Sequence, residues 1–252
     1  MFTYTEALAK RLFRSILPVK ARRWVSAHLP YGRDYTPPLG YVRFGDLRRI
    51  EPIDGNFGFG RGRPIDRYYI ENFLERHSAD VKGRVLEVGD DTYTRRFGKE
   101  KVTASDVLHV SEGNPRATLV GDLAIADHLP SDAFDCIILT QTLHLIYDVR
   151  AAIRTLHRIL KPGGVLLATF PGISQIDRHD WKNCWYWSFT TFSAERLFSE
   201  LFHPSDLQIE TYGNVLAATA FLYGLADVEL EQDELDALDP HYQVVITARA
   251  VK

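Results

Sequence analysis

Three acidic side chains in this sequence stand in, or just past, the last residues of a short apolar run. Glu87 lies in residues 84–88 (RVLEV), Asp106 follows residues 102–105, and Asp122 follows residues 117–121 in the triplet Gly121-Asp122-Leu123. A fourth run, residues 134–140, ends in Thr140 and is followed by Gln141 and Thr142. Carboxylates accept hydrogen bonds from hydroxyl, amine and ammonium groups, so such a set suits a polar small molecule. Gly89, two residues after Glu87, lets the backbone approach a ligand closely, and Asp90 and Asp91 beside it add acceptors. His144 lies just past the fourth run. Its imidazole can take a proton near neutral pH, although a lone histidine also serves as a packing residue. His179 and Asp180, with Asp177 before them, are further candidate bases. They lead into Trp181, Trp185, Tyr186, Trp187 and Phe189, five aromatics within nine residues. Aromatic faces stack on rings and exclude water; they also pack on one another. No cluster has metal-ligand spacing, so no metal is expected.

These side chains need a frame to bring them together. The apolar runs predict strands over residues 84–88, 102–105, 117–121, 134–140 and 165–170. A helix over 149–160 leads into the last of these through Lys161-Pro162-Gly163-Gly164, where proline and the glycine pair stop the helix. Unbroken apolar stretches at 136–139 and 165–167 fit strands buried on both faces, as in a parallel sheet covered by helices. Residues 65–77 read as a helix with Pro64 at its entry and Ile65, Tyr69, Ile70, Phe73 and Leu74 at helical period. Residues 193–202 read as a helix capped by Ser193, and 207–212 and 242–250 as the last two strands. The expected fold is α/β, a doubly wound, mostly parallel, seven-stranded sheet of Rossmann-like type with an N-terminal helical and loop extension. The extension takes residues 1–63 and the main domain 64–252, with an inserted substrate element around 172–192. Within the extension, Leu8, Leu12, Phe13 and Ile16 have helical spacing, and residues 29–64 are rich in proline and glycine. In an open α/β sheet, ligands bind beyond the carboxyl ends of the strands where strand order reverses. That edge is where the acidic residues above are expected.

Composition narrows the function classes. The 252 residues are 45% hydrophobic and 25% charged, a profile of a globular protein with one substantial core. No apolar run approaches the ~20 residues of a membrane span, and no secretory signal pattern opens the chain. Two cysteines, Cys136 and Cys184, are too few for a disulfide framework, and a reducing cytoplasm is expected. The net charge of −3 conceals an uneven distribution, with 13 Lys/Arg against 6 Asp/Glu in residues 1–70. The basic residues are too scattered for a nucleic-acid surface. Residues 227–239 hold seven acidic residues and no basic one, which reads as a solvated helix face.

The order and spacing of RVLEVG, Ser105-Asp106, Gly121-Asp122-Leu123, FDCIILTQ and LHRILKPGGVLLATF resemble the class I S-adenosylmethionine (SAM) dependent methyltransferases, of the type 11-like kind. More narrowly, PIDRYYIE at 64–71, residues 134–142, residues 160–171 and YWSFT at 186–190 resemble a group of bacterial methyltransferases associated with glycosyltransferases. The resemblance covers residues 65–251 and implies SAM as cofactor. It implies that Glu87, Gly89 and Asp90 form the cofactor turn, that Asp106 with Val107 takes the ribose, and that Asp122 and Leu123 take the adenine. Thr140 and Gln141 would lie under the sulfonium, and Tyr69 on the preceding helix would line the pocket. Arg67, Trp181, Tyr186 and Trp187 would meet the acceptor. The turn departs from the family's GxGxG, since Gly89-Asp90-Asp91-Thr92-Tyr93 keeps only the first glycine. It also lacks the GxGxxG of a dinucleotide-binding dehydrogenase. The implied function is methyl transfer to a hydroxyl of a sugar, glycan or other small molecule, with His144, His179 or Asp180 as base. The alternative is a catalytically silent scaffold of the same fold in glycan assembly. Oligomeric state is left open.

Overall fold

The apolar runs form the strands of one sheet: β1 (Gly83–Val88), β2 (Val102–His109), β3 (Leu119–Val120), β4 (Phe134–Thr140), β5 (Leu160–Pro171), β6 (Leu207–Tyr212) and β7 (Val245–Val251). Their spatial order is β3-β2-β1-β4-β5-β7-β6. β1 to β5 are parallel, and β7 runs antiparallel between β5 and β6. The structure is a computed structural model that describes residues 36–252, so the helix expected over residues 5–16 lies outside the described residues.

Side chains alternate across each strand, and here both faces are apolar. Leu86, Ile137 and Leu166 point into one core with Ala152, Ile153 and Leu156 of α2 (Val149–Ile159) and Phe198 of α3 (Thr191–Phe198). Val85, Cys136, Ile138 and Leu167 point into the other. There they meet Ile65, Tyr69 and Phe73 of α1 (Ile65–Arg76), and Ala217 and Phe221 of α4 (Val215–Leu222). Helices therefore cover both faces, and Cys136 is the small core residue its setting implied.

Several boundaries differ from expectation. β2 runs on to His109, because Val107 and Leu108 re-enter the core after the exposed Thr103–Ser105 stretch that reads as its end. α3 starts two residues early, capped by Thr190, whose Oγ1 accepts the Ser193 amide while the Ser193 hydroxyl takes the Thr190 N–H in return. The acidic run does not simply face water. It forms a 3-10 turn, Asp227–Glu229, and a short α5 (Gln232–Asp236). Asp227 pairs with Arg63, Glu229 with Arg61, and Asp236 accepts from the Tyr68 hydroxyl at 2.6 Å.

The chain divides into two units, Met1–Arg48 and Arg49–Lys252. The described end of the first holds one 3-10 turn, Gly45–Leu47. Residues 49–63, expected in the extension, belong to the second unit and cross its surface as a strap. The Ile53 and Asp54 amides donate to the Tyr223 carbonyl, and Pro64 bridges to Ala226. Gly58 lies so close to the Leu225 carbonyl that a side chain would not fit. The strap brings Phe57 over the carboxyl edge of the sheet, where its ring stacks on Trp185 at 6.2 Å.

Candidate active site

β1 sits between β2 and β4, so the chain leaves the sheet in opposite directions on its two sides. Beyond that reversal opens a cleft of about 1330 Å³. Its walls come from the strap, α1, the loops after β1 to β5, and residues 174–186.

The turn after β1 is built by Glu87. Its two carboxylate oxygens accept the amides of Tyr93 (3.1 Å) and Thr94 (2.7 Å), which folds residues 89–94 back over the strand. Burial pushes the Glu87 carboxyl up to about 7 against the pull of these donors. Gly89 has φ +96°, a conformation that favours glycine, and a side chain there would meet nothing within 4 Å. The turn therefore leaves open space above its backbone although two of the usual glycines are missing. Asn114 Nδ2 steadies it by donating to the Gly89 carbonyl at 2.7 Å. Asp90 lines the cleft, whereas Asp91 is turned away and paired with Arg95 and Arg116.

Asp122 and Leu123 line the wall after β3. Asp122 Oδ1 accepts the Ala124 amide at 2.9 Å, which leaves its second oxygen for a ligand. Thr140 and Gln141 line the tip of β4. Gln141 adopts φ +45° while its amide holds the Thr169 carbonyl at 2.9 Å, a costly conformation for a residue with a side chain. His144 follows on a 3-10 turn, Leu143–Leu145, only 2% exposed, with its ring centroid 4.1 Å from that of Trp185. Burial pushes its pKa down to about 3, so the imidazole is neutral. Its Nδ1 is buried with no hydrogen-bond partner among the described residues. Arg67 and Asp66 approach from α1, Arg67 lying 3.5 Å from the Tyr93 hydroxyl. Burial raises the Asp66 carboxyl above its ordinary range. His179, Asp180, Trp181 and Tyr186 border the outer part. Among the described residues no group of three or more His, Cys, Asp or Glu is placed to hold a metal.

A family described as Methyltransferase domain matches residues 62–211. The chain belongs to this methyltransferase family. It is a SAM-dependent methyltransferase. A SAM dependent methyltransferase from Archaeoglobus fulgidus has the same fold, with TM-score 0.50 and 13% identity over 74% of this chain and 94% of that one. A S-adenosylmethionine dependent methyltransferase from Mesorhizobium loti gives 0.48 at 19% identity, over 75% and 98%. The N-methyltransferase NodS from Bradyrhizobium japonicum, solved with S-adenosyl-l-homocysteine (SAH), gives 0.47 at 16%, over 76% and 89%. No curated protein is a significant match.

The methyltransferase cleft gathers most of the residues expected from sequence and leaves out four. Asp106 lies inside β2, opposite Leu86 of β1, with its carboxylate 2.7 Å from Arg84 Nε and 3.0 Å from Thr118 Oγ1. Two residues of strand still separate it from His109 at the strand tip, and His109 and Val110 line the cleft instead. Val107 beside it is buried. Tyr69 points into the core, its hydroxyl on the Leu235 carbonyl and its ring stacked on Tyr212. Trp187 stands outside the lining, its indole N–H bound to the Ile146 carbonyl at 3.0 Å. Arg61 is held by Glu229, and Arg63 by Glu71 and Asp227. Sequence reasoning singled out no site role for Trp185, Phe57, Asp66 or Tyr147. Only Trp185 carried a signal, its place in the aromatic cluster.

Proposed function

We propose that this methyltransferase methylates a hydroxyl oxygen of a sugar, glycan or other small molecule. The observation that carries this reading is His144, a neutral imidazole with a buried, unpartnered nitrogen at the tip of β4. SAM supplies a methyl group made electrophilic by its sulfonium. The residues present fit it. Gly89 keeps the turn open, while Asp90 offers negative charge toward an ammonium, and Arg67 offers positive charge toward a carboxylate. Asp122 has an oxygen for the adenine amine and Leu123 an apolar surface for the ring. Thr140 and Gln141 occupy the strand tip between that end and His144.

On the acceptor side, His144 takes the hydroxyl proton. A buried imidazole accepts a proton only if the site then stabilises the charge, and Asp177 and Asp180 are carboxylates that line the same cleft. Asp177 stays ionised. Burial pushes it up, but the amides of Trp181, His179 and Arg178 hold it below the usual carboxylate range. His179 and Asp180, on the exposed rim, are secondary candidates for the same step. Trp185 and Phe57 exclude water, and alignment with desolvation does the remaining work. Nothing in the turn after β1 favours a silent scaffold, since Glu87 and Gly89 form it without the missing glycines.

The test is product analysis by mass spectrometry after incubation with SAM and a panel of sugars, phenols and amines. Equimolar SAH and an O-methylated product are expected. A methyl group found on nitrogen would overturn the hydroxyl reading.

A further inference from the structure

The outer lip of the cleft carries an aromatic surface that methyl transfer itself does not need. Tyr147, Tyr186 and Trp187 are 71%, 49% and 38% exposed. They nevertheless pack on one another, with Tyr147 centroids 5.4 Å from Tyr186 and 6.0 Å from Trp187. The Trp187 indole is fixed by its bond to the Ile146 carbonyl. The amides of Tyr186 and Trp187 both donate to the His144 carbonyl, at 2.9 and 3.3 Å. One short length of backbone therefore sets the distance between this surface and the buried histidine. Tyr147 and Tyr186 also line the cleft, so the surface continues the acceptor end outward. Ordered aromatic rings left in water forgo their burial energy, and such patches mark binding surfaces.

The arrangement selects its occupant. Tyr147 and Trp187 are stacked at 29° and Tyr186 stands edge-on at 74°. Tyr147 and Trp187 thus lie near parallel, with the Tyr186 ring standing across Tyr147. Their exposed faces and edges suit the flat side of another ring. Asp148 and Asp180 border the same cleft and can only accept hydrogen bonds. A hydrocarbon or a plain aromatic ring would strip them of water and return no donor. A saturated sugar ring meets both demands, with C–H groups on one side and hydroxyl donors around its edge.

We propose that Tyr147, Tyr186 and Trp187 form a subsite for the second ring of the acceptor. The acceptor is then a glycan of at least two rings, one beside His144 and Trp185 and the next on the lip. This rests on the hydroxyl-methylation reading above.

The experiment uses the full chain labelled with 5-fluorotryptophan and saturated with SAH, whose binding is checked by calorimetry. Fluorine resonances are assigned by single Trp→Phe replacements. The probes are methyl glycosides of glucose, galactose, mannose, rhamnose and N-acetylglucosamine, disaccharides of the same sugars, phenol and tetramethylammonium. A disaccharide is expected to shift both the Trp185 and Trp187 resonances, while its monosaccharide shifts Trp185 alone. Tyr147→Ala should weaken the disaccharide by about threefold to tenfold and leave the monosaccharide and SAH unaffected. Equal affinity for both saccharides, with Trp187 silent and Tyr147→Ala without effect, would overturn the second-ring subsite and leave the hydroxyl reading standing. A response to phenol with none to any saccharide overturns the second-ring subsite alone, and a response to tetramethylammonium with none to phenol or any saccharide, while SAH still binds, overturns both.

Discussion

His144 is neutral because the fold buries it, and as the proposed base it would set how the enzyme responds to pH. Its pKa of about 3 keeps the ring unprotonated throughout the physiological range. His144→Gln is expected to lower kcat by about 10²–10⁴ and leave SAH affinity intact, read by turnover and calorimetry. The wild-type rate should show no acid limb from this group near its ordinary value of 6.5. Glu87 is shifted the other way. The unfolded carboxyl gives up its proton near 4.5 and the folded one near 7. Between those values the folded state binds more protons, so Glu87's contribution makes stability fall as pH rises, by on the order of 3 kcal/mol. Denaturant titrations of wild type and Glu87→Gln from pH 4.5 to 7.5 should diverge in that direction; parallel curves would show that Glu87 titrates normally. The two strand aspartates should separate equally clearly. Asp122→Ala is expected to weaken SAH by about tenfold, the loss of one good hydrogen bond to a charged group. Asp106→Ala should leave SAH affinity unchanged and cost stability through the loss of its bonds to Arg84 and Thr118.

At the scale of elements, the turn after β1 is the backbone that the proposed cofactor site depends on. It reaches its form by anchoring residues 93 and 94 to a buried carboxylate and reserving a single glycine for the positive φ. Gly89→Ala is expected to destabilise the fold by about 1–3 kcal/mol and weaken SAH binding as well. Calorimetry on the folded variant checks the second effect, and full affinity there would mean that the cofactor does not approach this backbone. The strap is the other deciding element. It couples α1, the turn Asp227–Glu229 and the Trp185 segment through Arg63, Pro64 and Phe57, so one wall of the cleft depends on pairings between distant parts of the chain.

For the whole molecule, the site is assembled from strap, α1, strand tips and the segment before α3, all within the unit Arg49–Lys252. A ligand that binds only this folded arrangement must stabilise it. SAH at about 100 times its dissociation constant contributes about 2.7 kcal/mol, equivalent to a rise in Tm of about 5–10 °C for a unit of this size. Differential scanning fluorimetry reads this directly. No rise, with SAH binding proven by calorimetry, would mean that thermal unfolding begins away from the cleft. Among the described residues no helix is long and apolar enough to cross a membrane.

The sequence by itself determined what is local. Apolar runs set β1, β4 and β5, the 3.6 period set α1 and α2, and Glu87 followed by Gly89 marked the turn after β1. These signals are legible because they arise from neighbouring residues and a fixed repeat. Tertiary structure decided what depends on distant partners. Whether Asp106 stands at a strand tip depends on how far β1 pairs with β2, and pairing runs on to Leu108. Which way Tyr69 points depends on Tyr212 and Leu235, more than 140 residues away. Arg61 and Arg63 are engaged by Glu229 and Asp227, whose acidic run reads in isolation as a solvated face. Trp185 and Trp187 are two residues apart, yet one packs on His144 and the other reaches the lip, because adjacent backbone bonds to the His144 and Pro171 carbonyls fix how that segment is laid down. Burial and charge pairing are properties of the assembled chain, so they chose among side chains that the local pattern could only nominate.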